Sequence, residues 1–459
     1  MLVMKAAFKI ISFAKIIFFM YTAPLQAQTV VPLDRVEKMS YIENGFIKLG
    51  IDLNLGGAIT YLSDKVKDEN IINNWDWGRQ VQMSFYSGPV PFEPDGKKAH
   101  KAWTFIGWNP IQSGDVAGNK SKVLAHKNTG TSLYVKCIPM HWPLDNVPGE
   151  CTYECWITLD GNAVRVKSRI VNNRPDKQQY AARGQELPAV YTNAPWHRLI
   201  TYRGDKPFTN DTLSLIANHN SPKSSSIQWA NWQATESWAA NVDDKDWGLG
   251  VWNESVQIFS GGYYGDSSFE GGSKNIPTAY IAPNSIDILD YNITYDYNYT
   301  LIVGDIKQIR EYVYAHHHTP LPAYHFNDSR LQWYYQGTTD KGWPIKNGLD
   351  IILKKDAAMI GPVTLWKAQD APVLIFTATY PAGSHSIKIY WKPFGKDFAE
   401  ACSTEFDFQS DGKQHTYNIP LHQSAQYKGN LKQLKIIVAT RQLSTNNNSA
   451  VIHSMVLGK

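Results

Sequence analysis

Apolar and polar positions alternate with a period of two along much of this chain, as half-buried β-strands require. Ser132 to Ile138, Thr152 to Leu159 and Ala163 to Val171 carry the clearest alternation, and Asp160-Gly161-Asn162 supplies a turn between the last two. Phe46 to Leu53 reads as strand, Gly56-Gly57 turns the chain, and Ala58 to Leu62 returns it. Val81 to Tyr86 alternates in the same way. Further strands are predicted around 187–192, 212–216, 226–232, 248–252, 256–260 and 286–303. The helical period is confined to 305–316, where Ile306, Ile309 and Val313 share a face and Asp305 is placed to cap it. Residues 87–120, rich in Gly, Pro, Asn and Asp, read as long loops carrying Trp103 and Trp108. Such loops on a β scaffold commonly hold binding sites.

Pro320 and Pro322 follow the predicted helix and mark a boundary. Beyond it, Pro372 to Tyr380, Ser386 to Trp391 and Leu434 to Ala439 read as strands, with a turn at Asp411-Gly412. The expected organisation is a signal peptide over 1–27, a large β unit over 40–318 and a smaller sandwich over 325–459. In the first segment Lys5, Lys9 and Lys15 supply positive charge, the run Ile16 to Tyr21 is too short to span a bilayer, and Leu25-Gln26-Ala27 offers a cleavage site. A secreted or periplasmic location is therefore expected, with no membrane partner once the segment is removed. Loss of its three lysines takes the net charge from +4 to +1. No basic stripe remains, so nucleic acid is excluded as a partner.

Composition adds one further element. The chain holds 16 Trp, 25 Tyr and 17 Phe, which favour strands and also offer flat faces for sugar rings. Cys137, Cys151 and Cys155 fall on neighbouring predicted strands and Cys402 lies far away. Export permits a bridge from Cys137 to Cys151 or Cys155; free buried thiols are the alternative, and no second ligand pair supports zinc.

Ile47 to Leu62 with its Gly-Gly turn, and Asn70 to Gln80 with its Arg79, resemble the opening of galactose-mutarotase-like domains. Asp411-Gly412-Lys413-Gln414-His415-Thr416-Tyr417 and the stretch Tyr427 to Ile436 resemble the jelly-roll carbohydrate-binding modules of secreted polysaccharide-degrading proteins. The resemblance implies an all-β chain: a large antiparallel supersandwich followed by a smaller jelly-roll β-sandwich. It implies carbohydrate as the partner and no cofactor, with calcium in the second domain as the one ion such modules often carry. A complete set of the mutarotase His and Glu motif residues is not matched here, so the resemblance carries the fold and not aldose 1-epimerase activity.

A sugar site needs aromatic faces for C–H surfaces and a few polar groups for hydroxyls. Trp75, Trp77, Arg79 and Gln80, followed by Tyr86, offer both; Arg79 either grips a sugar carboxylate or pairs with Asp76. Trp108 leads into a loop with Asp115, a hydroxyl ligand or base whose alternative is turn capping. His141 beside Trp142 is an acid–base candidate or a structural histidine. Glu186 opens an apolar strand that continues to Tyr191, where a charge is costly unless paired or used. The expected catalytic set is Arg79, Tyr86, His141 and Glu186, with Trp75, Trp77, Gln80, Trp108, Asp115, Trp142 and Tyr191 binding substrate. A polysaccharide lyase would use Tyr or His as base and Arg to neutralise a uronate. A hydrolase would need two facing carboxylates, here Asp115 and Glu186. A non-catalytic glycan binder would need only the rings. His316-His317-His318 reads as a solvated helix end rather than a metal site.

Overall fold

Alternation becomes pairing where it was clearest. In the computed structural model, which describes residues 36–223, 227–441 and 449–459, Ser132–Ile138 pairs antiparallel with Cys151–Asp160, which pairs in turn with Ala163–Asn172. Leu133, Val135 and Cys137 point inward beside Tyr153, Cys155 and Ile157, while Tyr134, Glu154 and Trp156 face out. Gly161 makes the connecting turn at φ 57°, a conformation that favours glycine. The signal segment 1–27 lies outside the described residues.

These strands belong to a nine-stranded sheet that runs from Ser214–Ile216 at one edge to Lys122–Asn128 at the other. An eleven-stranded sheet faces it, and its central strands are Val81–Ser84, Arg183–Asn193, Thr278–Asp287 and Ile258–Tyr264. Ile59, Val81, Val190 and Ile281 of one sheet meet Val135, Tyr153, Val166 and Leu301 of the other in a shared apolar core. At one side the two sheets are laced by side chains. His126 bonds Ser40 Oγ (3.0 Å), and Asn128 donates to Ser40 Oγ (2.9 Å) and to the Tyr41 carbonyl (2.8 Å).

The predicted helix is present as Ile306–His316. Asp305 and Gln308 form a reciprocal capping box. Ile309 and Val313 are buried against Trp238, Ala240 and Ile302 on the outer face of the nine-stranded sheet. Arg310 reaches the fully buried Glu236 (2.9 Å) and fastens the helix down.

From Ala323 onward the chain builds a second, smaller sandwich of a five- and a six-stranded sheet. Trp333, Phe376, Ile389, Trp391, Ile436 and Met455 fill its separate core. The turn at Asp411-Gly412 carries the chain from Ser403–Ser410 in one sheet to Gln414–Pro420 in the other. The chain is thus all-β apart from one α-helix among the described residues, as expected. No helix among the described residues is long and apolar enough to cross a membrane.

A buried charge cluster joins the two sandwiches. Arg330 of the second donates Nε and Nη2 to Asp340 (2.6 and 2.8 Å) and Nη1 to Asp290 of the first (2.5 Å). Gln179 donates to both carboxylates, and Tyr335 donates to Asp340 (2.8 Å). Trp343 packs against both apolar cores.

Of the strand assignments that differ from the sequence expectation, three have a readable cause. Lys122–Asn128 is an additional strand whose residues are nearly all exposed, so it has no alternation to read. Trp238–Val242 is additional for the opposite reason, being buried at all five positions. The predicted run 286–303 is two strands, Thr278–Asp287 and Thr294–Asp305; the buried Ile288, Leu289 and Ile293 of the connection made it look continuous. All four cysteines are free thiols, so no bridge links Cys137 to its neighbours.

Candidate functional site

Arg183–Asn193 is the strand that sets the site. Its register slips between Glu186 and Val190, a bulge that seats Leu187 and Val190 in the core and leaves Glu186 on the opposite, open face of the sheet. Glu186 lies level with Ser84 on one neighbouring strand and Asn284 on the other.

Two phenols converge on that carboxylate. Tyr86 Oη donates to Glu186 Oε2 (2.9 Å), and Tyr280 Oη donates to Oε1. Tyr86 is held by a reciprocal amide pair: its N–H donates to Gln185 Oε1 (2.8 Å), and Gln185 Nε2 donates to its carbonyl (2.8 Å). Burial, then the Glu186 charge, pushes both phenols well above the ordinary tyrosine range. They therefore stay protonated near neutral pH, as hydrogen-bond donors rather than bases. Tyr191 is shifted upward by the same two causes in the same order. Its ring lies 4.8 Å from that of Tyr280, and Trp229 covers Tyr280 from another side at 5.0 Å.

The loop carrying Trp75 and Arg79 borders this face. Asn73 donates its N–H to the Tyr191 carbonyl (3.1 Å), and Asp76 pairs with Arg79 Nε at 3.0 Å. Arg79 also donates Nη1 to the Ile276 carbonyl. Arg183 gives its Nη1 to the carbonyls of Ser87 (3.2 Å) and Ile106. The structure thus gathers Arg79, Tyr86, Glu186 and Tyr191 of the expected residues, with Trp75 at the margin and half-buried.

The other expected residues are elsewhere. His141 is fully buried, its Nε2 2.9 Å from Glu150 Oε2, with its ring against Phe92 and Trp108. Burial pushes the Glu150 carboxyl up, but the bond and charge of His141 and a bond from Trp108 outweigh it and hold it below the usual range. A histidine sealed in this way cannot be the catalytic base. His141→Ala is expected to lower stability in urea by about 1–3 kcal/mol while leaving turnover per folded molecule unchanged. Lost turnover at unchanged stability would return His141 to the site.

Trp108 is fully buried, and Trp77 and Trp142 pack with Ile106 and Val116 in a local core, so none of the three offers a face to a sugar. Gln80 is buried and donates to the Asp76 carbonyl (2.7 Å). Asp115 is fully buried and accepts from the backbones of Ala117, Asn119 and Asn146, closing its loop as a turn cap. It cannot form a hydrolytic pair with Glu186. Tyr280 and Trp229 are site residues that the sequence did not suggest. The strand Thr278–Asp287 is buried on both faces almost throughout, which erased the alternation that would have marked Tyr280, Ala282 and Asn284 as one face. Among the described residues, no group of three or more His, Cys, Asp or Glu side chains is arranged to hold a metal ion.

No known family model matches the chain, and no curated protein is similar to it in sequence. Solved structures are similar to part of it. A putative aldose 1-epimerase from Escherichia coli K12 matches 59% of this chain and 100% of its own length, at 10% identity and a TM-score of 0.36. A galactose mutarotase-like protein from Clostridium acetobutylicum matches 59% and 96%, at 10% identity and a TM-score of 0.36. A 4-alpha-glucanotransferase from Thermococcus litoralis matches 59% of this chain and 38% of its own, at 11% identity and a TM-score of 0.33.

Proposed function

We propose that this is an exported carbohydrate-active protein in which Glu186 is the general base for a proton transfer at a sugar. The observation behind the proposal is the Glu186 carboxylate with one phenol donating to each oxygen, on an open sheet face beside the half-buried rings of Tyr191 and Trp229. Rings cover the C–H faces of a sugar, and the polar groups order its hydroxyls. The phenols, held protonated, donate; the carboxylate accepts.

Proton abstraction is favoured over glycoside hydrolysis. Hydrolysis needs two carboxyl groups across one bond, and here Asp115 is committed to its loop and Asp76 to Arg79. In lyase chemistry Glu186 would take the proton beside a uronate carboxylate. The electron pair left behind forms a C=C bond as the glycosidic C–O bond breaks, and a phenol protonates the departing oxygen. Export rests on the segment 1–27, and residues 325–459 are read as a jelly-roll unit that holds glycan near the site. The alternative is glycan binding without turnover, favoured by Arg79 being held by Asp76 and the Ile276 carbonyl instead of standing free for a uronate.

Incubation of the full chain with pectate, alginate and glycosaminoglycans tests the proposal. Unsaturated, ultraviolet-absorbing chain ends are expected. New reducing ends without unsaturation would overturn the proton-abstraction chemistry. Retention on an array with every glycan unchanged would establish the binding alternative.

A further inference from the structure

Next to the Glu186 face lies an open cleft of about 550 Å³, whose lining includes Trp75, Ser268, Glu270, Asn275 and Ile276. That volume falls within the range of small-molecule sites, about 300–1,000 Å³. Its composition repeats the requirements of a sugar site. The Trp75 indole is half-buried, and Ile276 keeps 43% of its surface exposed, which is unusual for a large apolar side chain. Glu270, Asn275 and Ser268 place a carboxylate, an amide and a hydroxyl beside them.

The cleft is built rather than incidental. Two loops form it, 70–79 and 266–277, and hydrogen bonds stitch them together. Asn74 N–H donates to the Ser273 carbonyl (2.6 Å), and Asn73 Nδ2 donates to the carbonyls of Asn275 (3.0 Å) and Pro277 (3.3 Å). Arg79 donates to the Ile276 carbonyl. Gly271, at φ 136°, lets the second loop fold tightly against Asn275, where a Cβ would come within 3.1 Å. Walls fixed in this way need little ordering when a ligand arrives. Asn73 ties the two places together, its N–H bonding the Tyr191 carbonyl and its side chain the loop of the cleft, while Arg79 holds the Ile276 carbonyl.

We propose that this cleft is a second sugar position, so that the protein takes a glycan chain and not a free monosaccharide. One residue of the chain lies over the half-buried Tyr191 at Glu186, and its neighbour stacks on Trp75 with its hydroxyls toward Glu270 and Asn275. The cleft opens outward, which lets a chain continue beyond it. The proposal rests on the Glu186 face being a sugar site.

The test is calorimetric titration of the full chain with galacturonate, glucuronate, glucose and mannose, and with their di- to hexamers. Affinity is expected to rise from monomer to dimer in the class that binds. Trp75→Ala should remove that rise, weakening oligomers about 10–30-fold and leaving the monomer unchanged. Glu270→Gln, at an exposed position that folding does not need, should reduce the same gain several-fold. Glu186→Gln should weaken monomer and oligomer alike. Equal affinity for monomers and oligomers, or a chain-length gain that survives Trp75→Ala and Glu270→Gln, would overturn the second position alone. Binding that ignores Glu186→Gln but responds to Trp75→Ala would overturn the Glu186 face and leave the cleft. No binding of any sugar would overturn both.

Discussion

Glu186→Gln is expected to reduce glycan turnover by about 10²–10⁴-fold, the usual span for a general base. The substitution keeps shape and volume but removes the basic oxygen. It also breaks the donor–acceptor match. Tyr86 and Tyr280 each donate to one carboxylate oxygen, and an amide offers one acceptor where two are needed. One phenol then meets an NH2 group, and its hydroxyl must rotate to accept where it had donated. The measurement is kcat/KM on the glycan identified by product analysis, with a thermal melt alongside to show that the fold persists. Tyr86→Phe should cost less, because the carboxylate and the Tyr280 bond both survive. A kcat within about threefold of the parent with a raised KM for Glu186→Gln would remove Glu186 from the chemistry and leave it a binding residue, since uniform binding changes KM without changing kcat, and an unchanged kcat/KM would remove it from the site altogether.

The second large effect lies far from that face. Arg330→Ala should lower stability by about 3–5 kcal/mol, because it strands two buried carboxylates, Asp290 and Asp340. The pH dependence has a definite sign. Burial pushes the Asp340 carboxyl up, but the Arg330 bonds and charge outweigh it and hold it below the ordinary aspartate value. Its contribution is therefore complete above the unfolded value of about 4 and is lost as pH falls through the lower folded value. Without Arg330 the remaining bonds, among them those from Gln179 and Tyr335, oppose the burial penalty less, and the carboxyl moves up. The gap between parent and variant should be widest near neutrality and narrow below about pH 4. Urea denaturation across that range measures it. A gap below about 1 kcal/mol at pH 7, or one that widens in acid, would show that the cluster does not hold the two sandwiches together. Because Asp290 belongs to the first sandwich and Arg330 to the second, the melt of the variant should also lose cooperativity.

How far the sequence could be read depended on whether a strand had one wet face. Ser132–Ile138 and Cys151–Asp160 do, and both were legible to within a residue or two. Trp238–Val242 has none, and Lys122–Asn128 has little else. The helix was legible because Ile309 and Val313 bury one stripe and Asp305 caps it with its own side chain. At the site, Glu186 was legible as a charge opening an apolar strand, but its partners were not. Tyr280 comes from a strand 94 residues away, and only the bulge before Val190 aims Glu186 toward it. The same limit explains the wrong expectations. Trp108, Trp142 and His141 look identical in sequence whether they line a groove or fill a core, and here they fill the core. Asp115 was resolved by its neighbours: a carboxylate that accepts from residues two and four positions on is closing a turn.

The outermost strand, Lys122–Asn128, has a consequence for how copies of this protein meet. An unpaired strand edge is a template on which a second chain can add, the first step toward fibrils. Here the exposed lysines Lys122 and Lys127 put like charges on any matching strand that approaches, while His126 and Asn128 are already engaged with Ser40 and Tyr41. The rim that is hardest to read as a strand thereby also resists recruiting another, and neutralising those two lysines would leave the already exposed Leu124 on an edge without that repulsion.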